Sequence, residues 1–250
     1  MSTPDSRRSV ARLAVVGPGR VGRAAALAFS AAGYDVTGPL GRGDTADRAD
    51  VILLCVPDRE IAAAVAALRT RGALIGHTSG ATPLHGSGAD FALHPLRSFA
   101  GSERADAFAG VGCAVAGSSA EALRVAEELA VAVGGRPFEV HDDQRAGYHA
   151  AASIASNFLV TLEAAAERVA AASGLEPGFR EHLAPLVRGT VENWAAHGPR
   201  AALTGPIARG DDETVARQRA AVAAGAPELL PLFDELSART RDLALEGPRA

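Results

Sequence analysis

Leu13-Ala14-Val15-Val16-Gly17-Pro18-Gly19-Arg20-Val21-Gly22 is the stretch that decides the fold. Four apolar residues run without alternation, as in a parallel strand buried on both faces. They stop at three glycines in G-x-G-x-x-G spacing, and residues 20–32 then read as a helix with Gly33 as its stop. Each glycine has its own reason. Gly17 permits the tight turn, Gly19 lets backbone approach a pyrophosphate, and Gly22 lets helix and strand pack closely. The helix N-terminus adds free N–H groups and a partial positive charge. With Pro18, Arg20 and Val21 between the glycines, Gly17–Gly22 is therefore a candidate phosphate-binding turn.

This strand–turn–helix unit is that of a Rossmann dinucleotide-binding domain. Such domains, when they bind NAD, usually place an acid about twenty residues on, at the end of the second strand. Here the region reads Asp35-Val36-Thr37-Gly38, with no acid at the strand's end, and Arg42 follows. An acid repels a 2′-phosphate, whereas glycine and a nearby arginine suit it, so NADP(H) is expected over NAD(H), with Arg42 at the 2′-phosphate. Residues 38–50 leave no room for a helix and a strand before Val51. The sheet is expected to lack one edge strand.

Working outward, further strands are expected at Tyr34–Thr37, Val51–Val56, Ala73–Gly76, Phe91–Leu93, Val111–Ala116 and Pro137–Val140. Helices are expected at Glu60–Leu68 and Ala120–Val133. This alternation predicts an α/β domain with a doubly wound, mostly parallel sheet over residues 11–143. Beyond 143 the strand signal vanishes. Helical patterns at 144–172, 178–196, 212–224 and 227–243 predict an all-helical domain over 144–245. Residues 1–10 read as disordered and the tail Glu246–Ala250 as frayed.

Ligands of open α/β sheets sit at the carboxyl ends of the strands. Val56-Pro57-Asp58 is expected beneath the nicotinamide ribose, and Ser79 to hydrogen-bond cofactor or substrate. His94, in His94-Pro95, can exchange a proton near neutral pH. For His94 and for His77, capping of loop carbonyls is the competing structural role.

In the Ala-rich helical stretch, His149, Ser153 and Asn157 recur at i, i+4 and i+8, with Ser156 beside them. That spacing makes one polar face on an α-helix, which needs partners if it is covered. Farther on, Thr204 lies in a compact loop ending at Arg209-Gly210-Asp211. Arg209 suits a substrate carboxylate, and Asp211 or Asp212 suits the cap of the next helix. An Arg209–Asp211 turn is the structural alternative.

Composition narrows the class. With 250 residues there is room for two modest domains. A net charge of −4 supplies no basic excess for gripping nucleic acid. The two cysteines, Cys55 and Cys113, each sit in an apolar run and read as buried, reduced thiols. No cluster has zinc-ligand spacing, so no metal is expected. No apolar run is long enough for a signal peptide or a membrane helix. A cytoplasmic protein with a small-molecule substrate, no nucleic acid and no membrane is the expectation.

The strings Gly17–Gly22, LLCVPD, HTSGA, LHPLRSF, YHAAASIASN and ALTGPIARGD together resemble proteins that join a Rossmann-like domain to a DUF2520 domain. That family is similar to ketopantoate reductases, pyrroline-5-carboxylate reductases, prephenate dehydrogenases and β-hydroxyacid dehydrogenases. The resemblance implies an NADP(H)-dependent oxidoreductase, dimeric through its helical domain, that passes a hydride to a small 2-oxo acid, ketopantoate foremost. It implies that His94 stands at the histidine of the prephenate dehydrogenase His-Pro motif. It implies that Asn157 stands at a helix asparagine that orients the carbonyl. The lysine usual four residues before that asparagine is Ser153 here, leaving His149 or His94 to deliver the proton. Ser153, Ser156 and Thr204 would line the substrate, and Arg209 would hold its carboxylate. An imine reductase or prephenate-type dehydrogenase is one alternative. A non-catalytic NADP(H)-binding sensor or partner protein is another.

Overall fold

A computed structural model describes residues 10–68 and 72–246. The expectations of a disordered start and a frayed tail therefore fall, apart from Val10 and Glu246, outside the described residues. Val10 is buried in the core. The chain divides into two compact units, Met1–Ser156 and Asn157–Ala250.

Among the described residues, the first unit holds one sheet of seven strands. They are β1 (Arg12–Val16), β2 (Asp35–Leu40), β3 (Val51–Leu54), β4 (Leu74–His77), β5 (Phe91–Pro95), β6 (Gly112–Gly117) and β7 (Arg136–Glu139). Their order is β2-β1-β3-β4-β5-β6-β7, with β2 at one edge. Every pairing is parallel except β5 with β6. The helices are α1 (Arg20–Ala31), α2 (Ile61–Leu68), α3 (Ala120–Ala132) and α4 (Arg145–Ser153).

Alternation along the buried strands separates two cores. Leu13, Val15, Val51 and Leu53 pack with Ala24, Ala25, Ala28 and Phe29 of α1 and with the apolar face of α3. Ala14, Val16, Ile52 and Leu54 point the other way, onto Ile61 and Val65 of α2. Both faces are covered, which is why β1 and β3 read as unbroken apolar runs.

β2 runs three residues past the expected Thr37. Its register with β1 shifts between Ala14 and Val16, where Gly38 takes φ +119°. A Cβ there would lie 2.3 Å from the Val15 carbonyl oxygen, so only glycine passes this bulge.

The second unit is helical: α5 (Leu159–Ala172), α6 (Arg180–Ala202), α7 (Asp212–Gly225) and α8 (Leu230–Leu245). The expected helix 144–172 is not one α-helix, because a π-helical turn, Ile154–Phe158, separates α4 from α5. α6 continues past the expected 196 through a kink at Gly198, φ 77°. Arg219 of α7 holds Asp234 of α8 through two bonds of 2.8 Å. Arg180 of α6 holds Glu167 of α5 at 2.6 and 2.8 Å.

Candidate functional site

Strand register brings the polar chain segments together. Val16 pairs with Leu54, and Leu54 with His77, so the carboxyl ends of β1, β3 and β4 lie side by side. β5 runs parallel to β4 and reaches His94 two residues beyond the Ala92 paired with His77.

The glycine turn closes over β3. Gly17 has φ +110°, and a Cβ on it would stand 2.3 Å from the Cys55 carbonyl oxygen and 3.3 Å from Val56. A Cβ on Gly22 would stand 1.9 Å from the Gly17 carbonyl oxygen. Gly19 meets nothing within 4 Å. It is also the N-cap of α1, where no side chain caps the helix and no acid sits in the first turn. Two glycines are thus needed for packing and the third faces open space at a bare helix N-terminus. That fits a pyrophosphate group. Around it, Arg20 donates to the Phe99 carbonyl at 3.2 Å and Arg23 to that of Pro18 at 2.6 Å, while Val21 packs against the core. Arg42 lies two residues past the end of β2, nearly fully exposed, 3.3 Å from Glu60. Such an exposed pair is weak and a phosphate can compete with it.

Pro57 and Asp58 are exposed, and the Pro57 carbonyl accepts from Glu60 N at 2.8 Å to start the turn into α2. Ser79 is buried. Its hydroxyl accepts from Ala81 N and Thr82 N and lies 3.0 Å from the Thr82 hydroxyl. Both cysteines are free, and burial pushes the Cys55 thiol up to about 12 and that of Cys113 up to about 11.

The densest chemistry surrounds His94. Its Nδ1 lies 2.5 Å from the Tyr148 hydroxyl, with the rings edge to face. The exposed His149 ring stands 6.4 Å away. Gly80 sits against both histidines, since a Cβ there would be 2.8 Å from His94 Cε1 and 3.0 Å from His149 Cδ2. Burial, followed by the charges of His149 and Arg145, pushes His94 down to about 4. Burial pushes Tyr148 up to about 12, opposed by Arg145.

Arg145 is 2% exposed. Its Nε donates to Asp142 at 3.2 Å, whereas Nη1 and Nη2 have no hydrogen-bond partner among the described residues. Asp142 also accepts from Leu84 N and His85 N, both at 2.9 Å, and so ties the β4–β5 loop to the start of α4. His77 is fully buried, with neither ring nitrogen bonded among the described residues, and burial pushes it down to about 4. It caps no loop carbonyl.

Residues 111–240 match the family described as Domain of unknown function (DUF2520). The chain belongs to the DUF2520 family. No curated protein matches the sequence of this DUF2520 protein. Among solved structures it is similar to protein TM1727 from Thermotoga maritima, with 23% identity, TM-score 0.76, and 93% of this chain and 98% of that one covered. It is similar to BF3122 from Bacteroides fragilis, provisionally described as an NADP oxidoreductase, with 20% identity, TM-score 0.74 and the same coverage of both chains. It is also similar to the reductive aminase of Aspergillus terreus, solved with NADPH and ethyl-5-oxohexanoate, with 18% identity, TM-score 0.61, and 94% and 98% covered. At these identities the likeness is one of fold.

The DUF2520 protein thus groups Gly17–Gly22, Val56–Asp58, Ser79 and His94 at the carboxyl ends of its inner strands, with His149 beside His94. Ser153 ends α4 half-buried, and Ser156 lies exposed in the π-helical turn. Asn157, Thr204 and Arg209 belong to the second unit and are exposed. There Asp211 caps α7 by accepting from Thr214 N at 3.1 Å, and Arg209 forms no ion pair among the described residues. Two site residues escaped the sequence reading, Tyr148 and Arg145. Their signal was spacing: 145, 148 and 149 share a helix face. Among the described residues no helix is long and apolar enough to cross a membrane.

Proposed function

We propose that this protein is an NADP(H)-dependent oxidoreductase that reduces a small 2-oxo acid, with ketopantoate as the first substrate to test. The observation that carries the reading is the bare N-terminus of α1 behind Gly19, where open space meets unpartnered N–H groups. Bound NADPH would supply the hydride. Gly17–Gly22 would hold the pyrophosphate, Arg42 the 2′-phosphate, and Val56, Pro57, Asp58 and Ser79 the nicotinamide half. His149 or His94 would serve the proton. Asn157 would orient the carbonyl, Arg209 would hold the carboxylate, and Ser153, Ser156 and Thr204 would contact the substrate.

A C=N substrate is the second reading, favoured by the likeness to a reductive aminase. A second copy of the chain is the proposed partner, through the helical unit. Val160, Leu186 and Trp194 on α5 and α6 are all more than half exposed, which an apolar interface would cover.

The test is a fluorescence titration with NADPH and NADH in parallel, followed by saturating ketopantoate. Tight NADPH binding and its oxidation on adding ketopantoate are expected. Binding without oxidation moves the search to imines, other acids or a sensing role. Failure to bind either cofactor overturns the proposal.

A further inference from the structure

The 2.5 Å contact between His94 Nδ1 and the Tyr148 hydroxyl has two readings, depending on which group donates. If Nδ1 carried the proton, the phenolic proton of half-buried Tyr148 would be left with no acceptor within the described contacts. If Tyr148 donates, its proton and the Nδ1 lone pair are both satisfied, and the imidazole proton must sit on Nε2, an atom that is not sealed away without a partner as those of His77 are. The surroundings agree. Arg145 and His149 of α4 and His77 of β4 all bring positive or potentially positive charge toward the ring. Among the described residues only Asp58, on the turn after β3, opposes them. An imidazolium is therefore disfavoured. Burial outweighs the Arg145 guanidinium and holds the Tyr148 phenol in its protonated form, so the proton it donates is present at neutral pH.

We propose that Tyr148 is a positioning residue that locks His94 as a neutral imidazole with its proton on Nε2. His94 then serves as a hydrogen-bond donor that polarises a substrate carbonyl or imine, rather than as an acid that gives up a whole proton. A neutral imidazole suits the first role and not the second, because losing Nε2–H would leave an imidazolate. The whole proton then falls to His149. The two histidines expected to compete for one task have separate ones. This inference rests on the reductase reading for its purpose, but its test does not.

The test is a nitrogen-15 NMR measurement of the histidine rings in the full-length protein at pH 7, assigned by His94→Gln. The expected result is His94 with a bare, hydrogen-bonded Nδ1 and a protonated Nε2. In Tyr148→Phe the tautomer preference should weaken and the His94 pKa should rise by about one unit, the worth of one hydrogen bond to the neutral form. NADPH affinity, titrated on the same sample, should not move. His94 protonated on Nδ1, or doubly protonated, in the unaltered protein overturns the inference without recourse to any variant. So does a Tyr148→Phe protein whose His94 titrates unchanged. Loss of NADPH binding in the unaltered protein would instead strike the reductase reading and leave the tautomer result standing.

Discussion

Arg145 is a cation kept from water with only its Nε bonded. Burying a guanidinium without acceptors is costly, and an apolar residue of similar shape often does better. Arg145→Met should therefore leave stability unchanged or raise it by about 1–4 kcal/mol in denaturant melts. It should also raise the pKa of both His77 and His94 by removing a positive neighbour. A loss of stability would mean that its tie to Asp142 outweighs the buried charge. The two low histidines make a second prediction. Their folded pKa values lie near 4, below the ordinary 6.5, so the unfolded chain binds more protons between those values. Stability is full above about pH 6.5 and falls as pH drops toward 4, by on the order of 3 kcal/mol for each histidine. Chemical melts at pH 7 and pH 5 check this, and His94→Gln should flatten the slope. His149→Ala should cut turnover strongly and spare NADPH binding, and unchanged turnover would remove it as proton source. At this scale the glycines and His94 were legible because strand ends announce themselves. Arg145 and Tyr148 were not, because their meaning comes from strands far away in sequence that α4 meets only after folding.

The junction of β1 with α1 is the element on which the proposed cofactor binding turns. Gly22→Ala would push a methyl group into the Gly17 carbonyl. Overpacking of this kind costs about 1–3 kcal/mol, so a lowered Tm is expected together with weakened NADPH binding. Gly19→Ala has free space around it, so it should keep the Tm and lose only affinity. Equal effects of the two changes on Tm would contradict the division of labour between these glycines. Strands and helices of the sheet unit stood out in the sequence because their apolar runs are continuous and their stops are glycines. Two features were hidden. Gly38 and Pro39 normally end a strand, yet β2 passes through them on a bulge. The spacing His149, Ser153, Asn157 assumed one unbroken α-helix. The π-helical turn at Ile154–Phe158 replaces i→i+4 bonds by i→i+5, and apolar periodicity carries no sign of that.

For the whole molecule, the alternation of strands with helices up to residue 143 and the loss of the strand signal beyond it were enough to expect a sheet domain followed by helices. Assembly is tested by light scattering. A dimer is expected, and Val160→Glu combined with Trp194→Glu should yield monomer, because burying two carboxylates in an apolar contact is prohibitive. A monomeric unaltered protein would remove the dimer from the proposal. One more property concerns how molecules avoid one another. The two outermost strands of the sheet are β2 and β7, and each contains a proline, Pro39 and Pro137. A proline has no N–H to offer an incoming strand. β2 is further bent by its bulge, and β7 begins and ends on the charged residues Arg136 and Glu139. Neither rim of the sheet is a good template for another chain, so crowded copies of this protein have little opportunity to stitch their sheets into aggregates.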